Sequence, residues 1–241
     1  MPRLPALFDL TRLPPAWAEL IDPAAPWTAL ARMDALLAGV PDRLDGEVHP
    51  SAVIEGRVWL EAGASIGPYA YVQGPAWIMA GAQVGHAAML RPGVLLGPGA
   101  KVGHASEAKH AIVLGGAHVA HFNYVGDAIV GHDVNLGAGV KLANLRVMPG
   151  GVSVGGVATG LRKLGAIVGD GVSIGCNAVL APGTVIGRGT IVYDGATVRG
   201  VVPAGRIVKL RPVLEMVERV DRDAGGAAAG GAATGGAAAD G

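Results

Sequence analysis

The chain has 241 residues, a formal net charge of zero and 51% apolar residues, so nothing in its overall charge points to nucleic acid or an anionic membrane as partner. Forty glycines against 4% aromatics call for a core of many small, repeated aliphatic contacts, and the single Cys176 excludes an internal disulfide framework. No charged segment followed by an apolar run opens the chain and no apolar stretch reaches membrane-spanning length, so a soluble cytoplasmic protein is expected.

Seven prolines divide residues 1–46 into short pieces. Within them Trp17, Leu20, Trp27, Leu30, Met33 and Leu37 fall at helical spacing, which predicts short helices packed against a main domain. No motif here carries chemistry, so a capping or docking extension is expected.

The pattern changes at Val48. Aliphatic residues then recur every sixth position through Ile54, Leu60, Ile66, Val72, Ile78, Val84, Leu90, Leu96 and Val102, with a small residue four positions after most of them. A period of six suits neither a helix nor a plain amphipathic strand; it is the period of a hexapeptide β-helix, three hexads to each triangular coil. The aliphatic residue and the small residue four positions on point inward, while their neighbours point out. The repeat continues to Leu142 with five-residue steps from Ala108 to Val113 and from Val125 to Val130, then resumes from Val168 to Val198. An all-β solenoid of about seven to eight coils is predicted over 47–205. The stretch 144–165 breaks the period and is expected to leave the coil as an excursion loop. A basic run and an apolar stripe at Val213, Leu214, Val217 and Val220 predict a C-terminal helix over 206–223, and 224–241 reads as a disordered Ala/Gly tail.

Outward residues carry the candidate chemistry. Arg91 and Lys109 each follow an inward residue and lie 18 positions apart, so they stack on one side of successive coils. Two stacked cations suit an anion such as phosphate. Glu107 stands on the other flank of Ala108, and Tyr124 takes the equivalent flank one coil later. Both can bind hydroxyls. His121 falls at the corner leading into the same side and supplies an imidazole, the usual general base near neutral pH. A rival reading uses the column His86, His104 and His121 as zinc ligands, as in γ-class carbonic anhydrases. That family takes two ligands from a close His-x4-His pair, which this chain lacks in the expected context, so no metal is assigned.

The stretch LRPGVLLGPGAKVGHASEAKH, followed by HFNYVGDA and VNLGAG, resembles the acetyltransferase domain of bifunctional N-acetylglucosamine-1-phosphate uridyltransferase / glucosamine-1-phosphate N-acetyltransferase. KLANLR and TGLRKLGAIVGD look still more like the C-terminal domain of archaeal-type sugar-1-phosphate nucleotidylyltransferases. The resemblance implies a left-handed parallel β-helix, a homotrimer, and direct transfer of an acetyl group from acetyl-CoA to an amino-sugar 1-phosphate for nucleotide-sugar and cell-envelope biosynthesis. It implies that His121 is the base and that Asn135 stands near the reacting groups. Arg91, Lys109 and Tyr124 would bind the sugar phosphate, Glu107 is the acid of the family's E-x-K pair, and the backbone at Ala138 meets acetyl-CoA. Where the uridyltransferase type has Asn-Tyr-Asp-Gly and then lysine, this chain has Asn144-Leu145-Arg146; Asn144 joins the acceptor contacts, and Arg162 or Lys163 takes over the lysine's role on the acetyl-CoA side. No nucleotidyltransferase half is expected, with a separate nucleotidyltransferase as partner; the alternatives are an acyltransferase acting on another sugar or nucleotide-sugar acceptor, or a non-catalytic trimeric scaffold.

Overall fold

A computed structural model describes residues 7–211 and 213–218. Its body is a parallel β-solenoid with three sheets. The first, of nine strands, runs from Arg43–Leu44 to Val201–Val202; the second, also nine, from Glu47–Val48 to Ile207–Val208; the third, of eight, from Val53–Glu55 to Thr197–Val198. Each strand pairs in parallel with those one coil before and after, giving a left-handed β-helix of about nine coils. The sequence count of seven to eight was low because Leu44 and Ile207, outside the strict repeat, extend the coil at both ends.

The inward aliphatic positions are filled as the period requires. Leu60, Ile78, Leu96, Val113 and Val130 stack in register inside the first sheet, all fully buried. Each such side chain contributes roughly 1.5–3 kcal/mol of burial, and the coil accumulates stability by repetition.

The first sheet is apolar on both faces. Immediately before those inward residues stand Trp59, Trp77, Leu95, Ile112 and Ile129, a second stacked column that faces outward. It is covered from two sides. The N-terminal segment contributes a 3-10 turn (Leu10–Arg12), helix α1 (Pro15–Ala18) and helix α2 (Thr28–Ala38), which bury Trp17, Leu30, Met33 and Leu37 against it. Polar links fix this segment in place: Arg12 to Asp133 at 2.6 Å, the Asp9 N–H to Asp170 at 2.6 Å, and Arg57 to the Ala38 carbonyl at 2.6 Å. The excursion over 144–165 covers the remainder. It is a β-hairpin, Ser153–Val154 antiparallel to Val157–Ala158, with Val152, Val154 and Leu164 buried in the same apolar layer.

The expected helix over 206–223 is not formed in its described part. Ile207–Val208 is the last strand of the second sheet, because its alternating pattern completes a coil, and 213–218 have no regular structure. Residues 219–223 and the tail 224–241 lie outside the described residues. No helix among the described residues is long and apolar enough to cross a membrane.

Candidate functional site

The two five-residue steps shape the site. They shorten the corner between the third and first sheets to His110 in one coil and to Asp127-Ala128 in the next, with His110 and Asp127 both in the left-handed region at φ 46°. The shortening sets the coil repeat at 17 residues, so His110, Asp127 and Asn144 lie above one another. The His110 Nδ1 is 2.9 Å from one Asp127 carboxylate oxygen, and the Asn144 amide donates to the other. Lys109 approaches the same carboxylate at 3.6 Å. Burial alone would raise the Asp127 carboxyl, but the hydrogen bonds from His110 and Asn144 and the charge of Lys109 outweigh it and hold it below the usual carboxylate range.

Beside this column stand the outward residues of the third sheet. Arg91 reaches the Glu107 carboxylate at 3.0 Å. Glu107 is paired in register with Tyr124, and Tyr124 with Lys141. Tyr124 leans across Gly126: a Cβ there would lie 2.5 Å from the phenol oxygen and 2.8 Å from the Asn144 amide nitrogen, so only glycine leaves room for the two to converge. Partial burial, then the nearby Glu107 and Asp127 charges, push the Tyr124 phenol upward, keeping it a neutral donor.

Arg91, Glu107, Lys109, Tyr124 and Asn144 therefore meet in one half-buried network, with Asp127 at its centre. The cations are not bare, since Arg91 and Lys109 each face a carboxylate. His121 lies around the corner between the second and third sheets, exposed, in register with His104. Ala138 occupies the same corner one coil on, and Asn135 stands exposed on the second sheet, above His118. Arg162 and Lys163 are brought to neither group. They sit exposed on the returning limb of the excursion, where Lys163 bridges Leu145 and Arg162 lines a recess of about 560 Å³ with residues 145–151. A larger groove of about 640 Å³ runs between the exposed strip 145–148 and the third sheet, with Arg146 and Arg199 on its rim and Ala143, Val179 and Ala181 in its floor. The His86 and His104 rings stack at 4.9 Å, and no cluster of three metal-ligating side chains occurs among the described residues.

Sequence reasoning missed Asp127, Lys141, Ser106 and Asn123. The signal for the last two was there: both are polar at inward positions that the repeat fills with small apolar residues, and both are buried.

The His110 bridge makes a pH prediction. Its hydrogen bond to Asp127, aided by the charge of Asp34 on α2 at 3.3 Å, raises its pKa against the opposing effect of burial. The stabilisation is fully present below histidine's unfolded pKa of about 6.5 and is lost as pH rises through the higher folded value. Melting temperatures of the wild type and His110→Gln should therefore differ most at pH 5–6 and converge at alkaline pH; a gap that widens with pH would contradict the bridge.

Comparison with known proteins gives the coil its kin. Residues 72–159 match the model described as GMPPB C-terminal domain, and residues 165–200 match the bacterial transferase hexapeptide (six repeats). A bifunctional sugar-1-phosphate nucleotidylyltransferase/acetyltransferase of Sulfurisphaera tokodaii is 39% identical over 99 residues, which cover 39% of this chain and 25% of that protein. The bifunctional protein GlmU of Rubrobacter xylanophilus is 35% identical over 109 residues, 45% of this chain and 19% of that protein. This chain thus spans a quarter or less of these curated relatives. A UDP-N-acetylglucosamine acyltransferase from Campylobacter jejuni aligns with a TM-score of 0.44 at 16% identity, over 65% of this chain and 69% of that one. Within residues 72–159 and 165–200 the β-helix thus matches a GMPPB C-terminal domain and a hexapeptide-repeat domain, and it is similar in sequence to part of the bifunctional sugar-1-phosphate nucleotidylyltransferase/acetyltransferases.

Proposed function

We propose that this protein is an acetyl-CoA-dependent N-acetyltransferase acting on an amino-sugar 1-phosphate such as glucosamine 1-phosphate, and that it works as a cytoplasmic homotrimer. The observation that carries the reading is the contiguous network of Arg91, Glu107, Lys109, Tyr124, Asp127 and Asn144, one corner away from the exposed His121. Arg91 and Lys109 turn from their carboxylates to the acceptor phosphate, while Tyr124, Glu107 and Asn144 hold sugar hydroxyls. The amine nitrogen attacks the thioester carbonyl and the C–S bond breaks. CoA leaves as the thiolate, and the amine proton passes to His121 and on to the thiolate sulfur. Asn135 and the backbone at Ala138 stand on the acyl-donor side. The excursion groove, with its apolar floor and arginine rim, suits the pantetheine chain and the phosphates of coenzyme A, with Arg162 in the adjoining recess and its neighbour Lys163 as further cations. The exposed strip Leu145, Val147 and Met148 supports a neighbouring copy beside it.

One observation favours a second reading. Because both cations already face carboxylates, the patch also suits a neutral sugar whose phosphates lie elsewhere, as in a nucleotide-linked amino sugar. Arg91→Ala separates the two. For a phosphorylated monosaccharide the loss of a charge-assisted contact of about 1.5–3 kcal/mol raises the acceptor KM roughly 10- to 100-fold, with the unphosphorylated sugar unaffected. An equal effect on both acceptors would remove Arg91 from phosphate binding.

A further inference from the structure

The corner that carries His121 is held differently from its neighbours. At the corners between the second and third sheets a four-residue turn is closed by its own backbone, as in Ala70 N–H to Gly67, Ala88 to Gly85, Ser106 to Gly103, Ala178 to Gly175 and Ala196 to Tyr193, at 3.2–3.4 Å. In 120–123 the Asn123 N–H instead crosses to the previous coil and donates to the Ser106 hydroxyl at 3.1 Å. The side chain of Asn123 takes over the closing role. Its Oδ1 accepts from the His121 N–H at 2.9 Å, and its Nδ2 donates to the Gly137 carbonyl of the next coil at 2.6 Å. Asn123 is 3% exposed and Ser106 1%. A buried amide and a buried hydroxyl are costly unless paired, and both stand where alanine would complete the apolar core. They stitch together the corners of three successive coils, those carrying His104, His121 and Ala138. The His121 carbonyl also accepts from the Gly139 N–H at 2.9 Å, the coil-to-coil bond that the neighbouring corners share.

We propose that Asn123, seated on Ser106, is the positioning residue for His121: it fixes the height and direction of the corner bearing the imidazole against the corner bearing Ala138. The proposal rests on the acetyl-transfer reading for its kinetic consequence, but its structural content stands without it. Ordinary corners are linked to the next coil by one backbone bond, as Phe122 N–H to His104 and Asn177 N–H to Ala138. The amide adds a second tie, from the His121 N–H through Asn123 to Gly137 of the coil on which the acyl donor is placed, so base and thioester keep one separation.

The test uses Ser106→Ala and Asn123→Ala in the full chain. Ser106→Ala, the milder change, keeps a folded protein available if Asn123→Ala does not fold. Each is expected to lower kcat roughly 10- to 100-fold, the usual effect of misplacing a reacting group by about 1 Å, with each substrate's KM changed less than about threefold. In a His121→Ala background the same substitutions should leave the residual rate unchanged, because there is no imidazole left to misplace. A loss as large in that background as in the wild type would overturn the positioning role. Histidine-labelled NMR spectra are independent of turnover. The His121 ring signal should shift or split in either variant while that of His49, at a distant corner, stays in place; an unmoved His121 signal overturns the proposal. Should the wild type transfer acetyl to no acceptor, it is the functional reading that fails, and the NMR result alone decides the role of Asn123.

Discussion

His121→Ala is expected to lower acetyl transfer about 10²- to 10⁴-fold while acetyl-CoA still binds. His121 is exposed at a corner of the coil, so its truncation opens no cavity and leaves no buried partner unpaired. Its backbone ties, N–H to Asn123 and carbonyl to Gly139, do not need the ring. The variant should therefore melt within about 2 °C of the wild type, since a surface change contributes less than about 0.5 kcal/mol. Loss of rate with unchanged stability and unchanged donor binding isolates proton transfer. Turnover close to that of the wild type would remove His121 from the base role.

The largest stability effect is expected at Trp17. Its indole is 1% exposed and meets Trp77 edge-on at 5.7 Å between centroids, and Trp77 in turn stacks on Trp59 at 4.5 Å. The Trp17 ring nitrogen has no hydrogen-bond partner, so truncation costs only packing. Trp17→Ala should destabilise by about 3–5 kcal/mol in urea unfolding, the usual cost of removing a buried aromatic side chain. Where the N-terminal segment loosens before the coil does, it uncovers the outward column of Trp77, Leu95, Ile112 and Ile129, and dye binding to apolar surface should rise ahead of the main transition. A cost below about 1 kcal/mol would mean that the segment merely rests on the coil.

How much of this could be read beforehand depends on which residues repeat. The inward ladder from Val48 to Val102 was legible because a period of six belongs to one architecture and each coil buries the same positions. The second apolar column was equally present, as doublets: Trp59-Leu60, Trp77-Ile78, Leu95-Leu96, Ile112-Val113 and Ile129-Val130. A strand apolar at adjacent positions is buried on both faces. That pattern marks the first sheet as the covered one and explains why the N-terminal helices and the excursion hairpin both pack there. At the site, the stacking of Arg91 with Lys109, and of Glu107 with Tyr124, followed from counting. The pairing of those cations with Glu107 and Asp127 did not, because it depends on side-chain reach across coils. Nor did the left-handed corners at His110 and Asp127, since left-handed backbone at non-glycine residues has no strong sequence signature.

On the proposed reading, the third-sheet network binds a phosphorylated amino sugar for acetylation. The most direct measurement is CoA release by the purified protein from acetyl-CoA, with a panel of amino sugars offered with and without a 1-phosphate and as their nucleotide conjugates. Turnover that requires the 1-phosphate is the result expected here. Turnover only with nucleotide-linked sugars would move the acceptor to the second reading, and a folded protein that binds acetyl-CoA yet releases CoA with none of them would contradict the account.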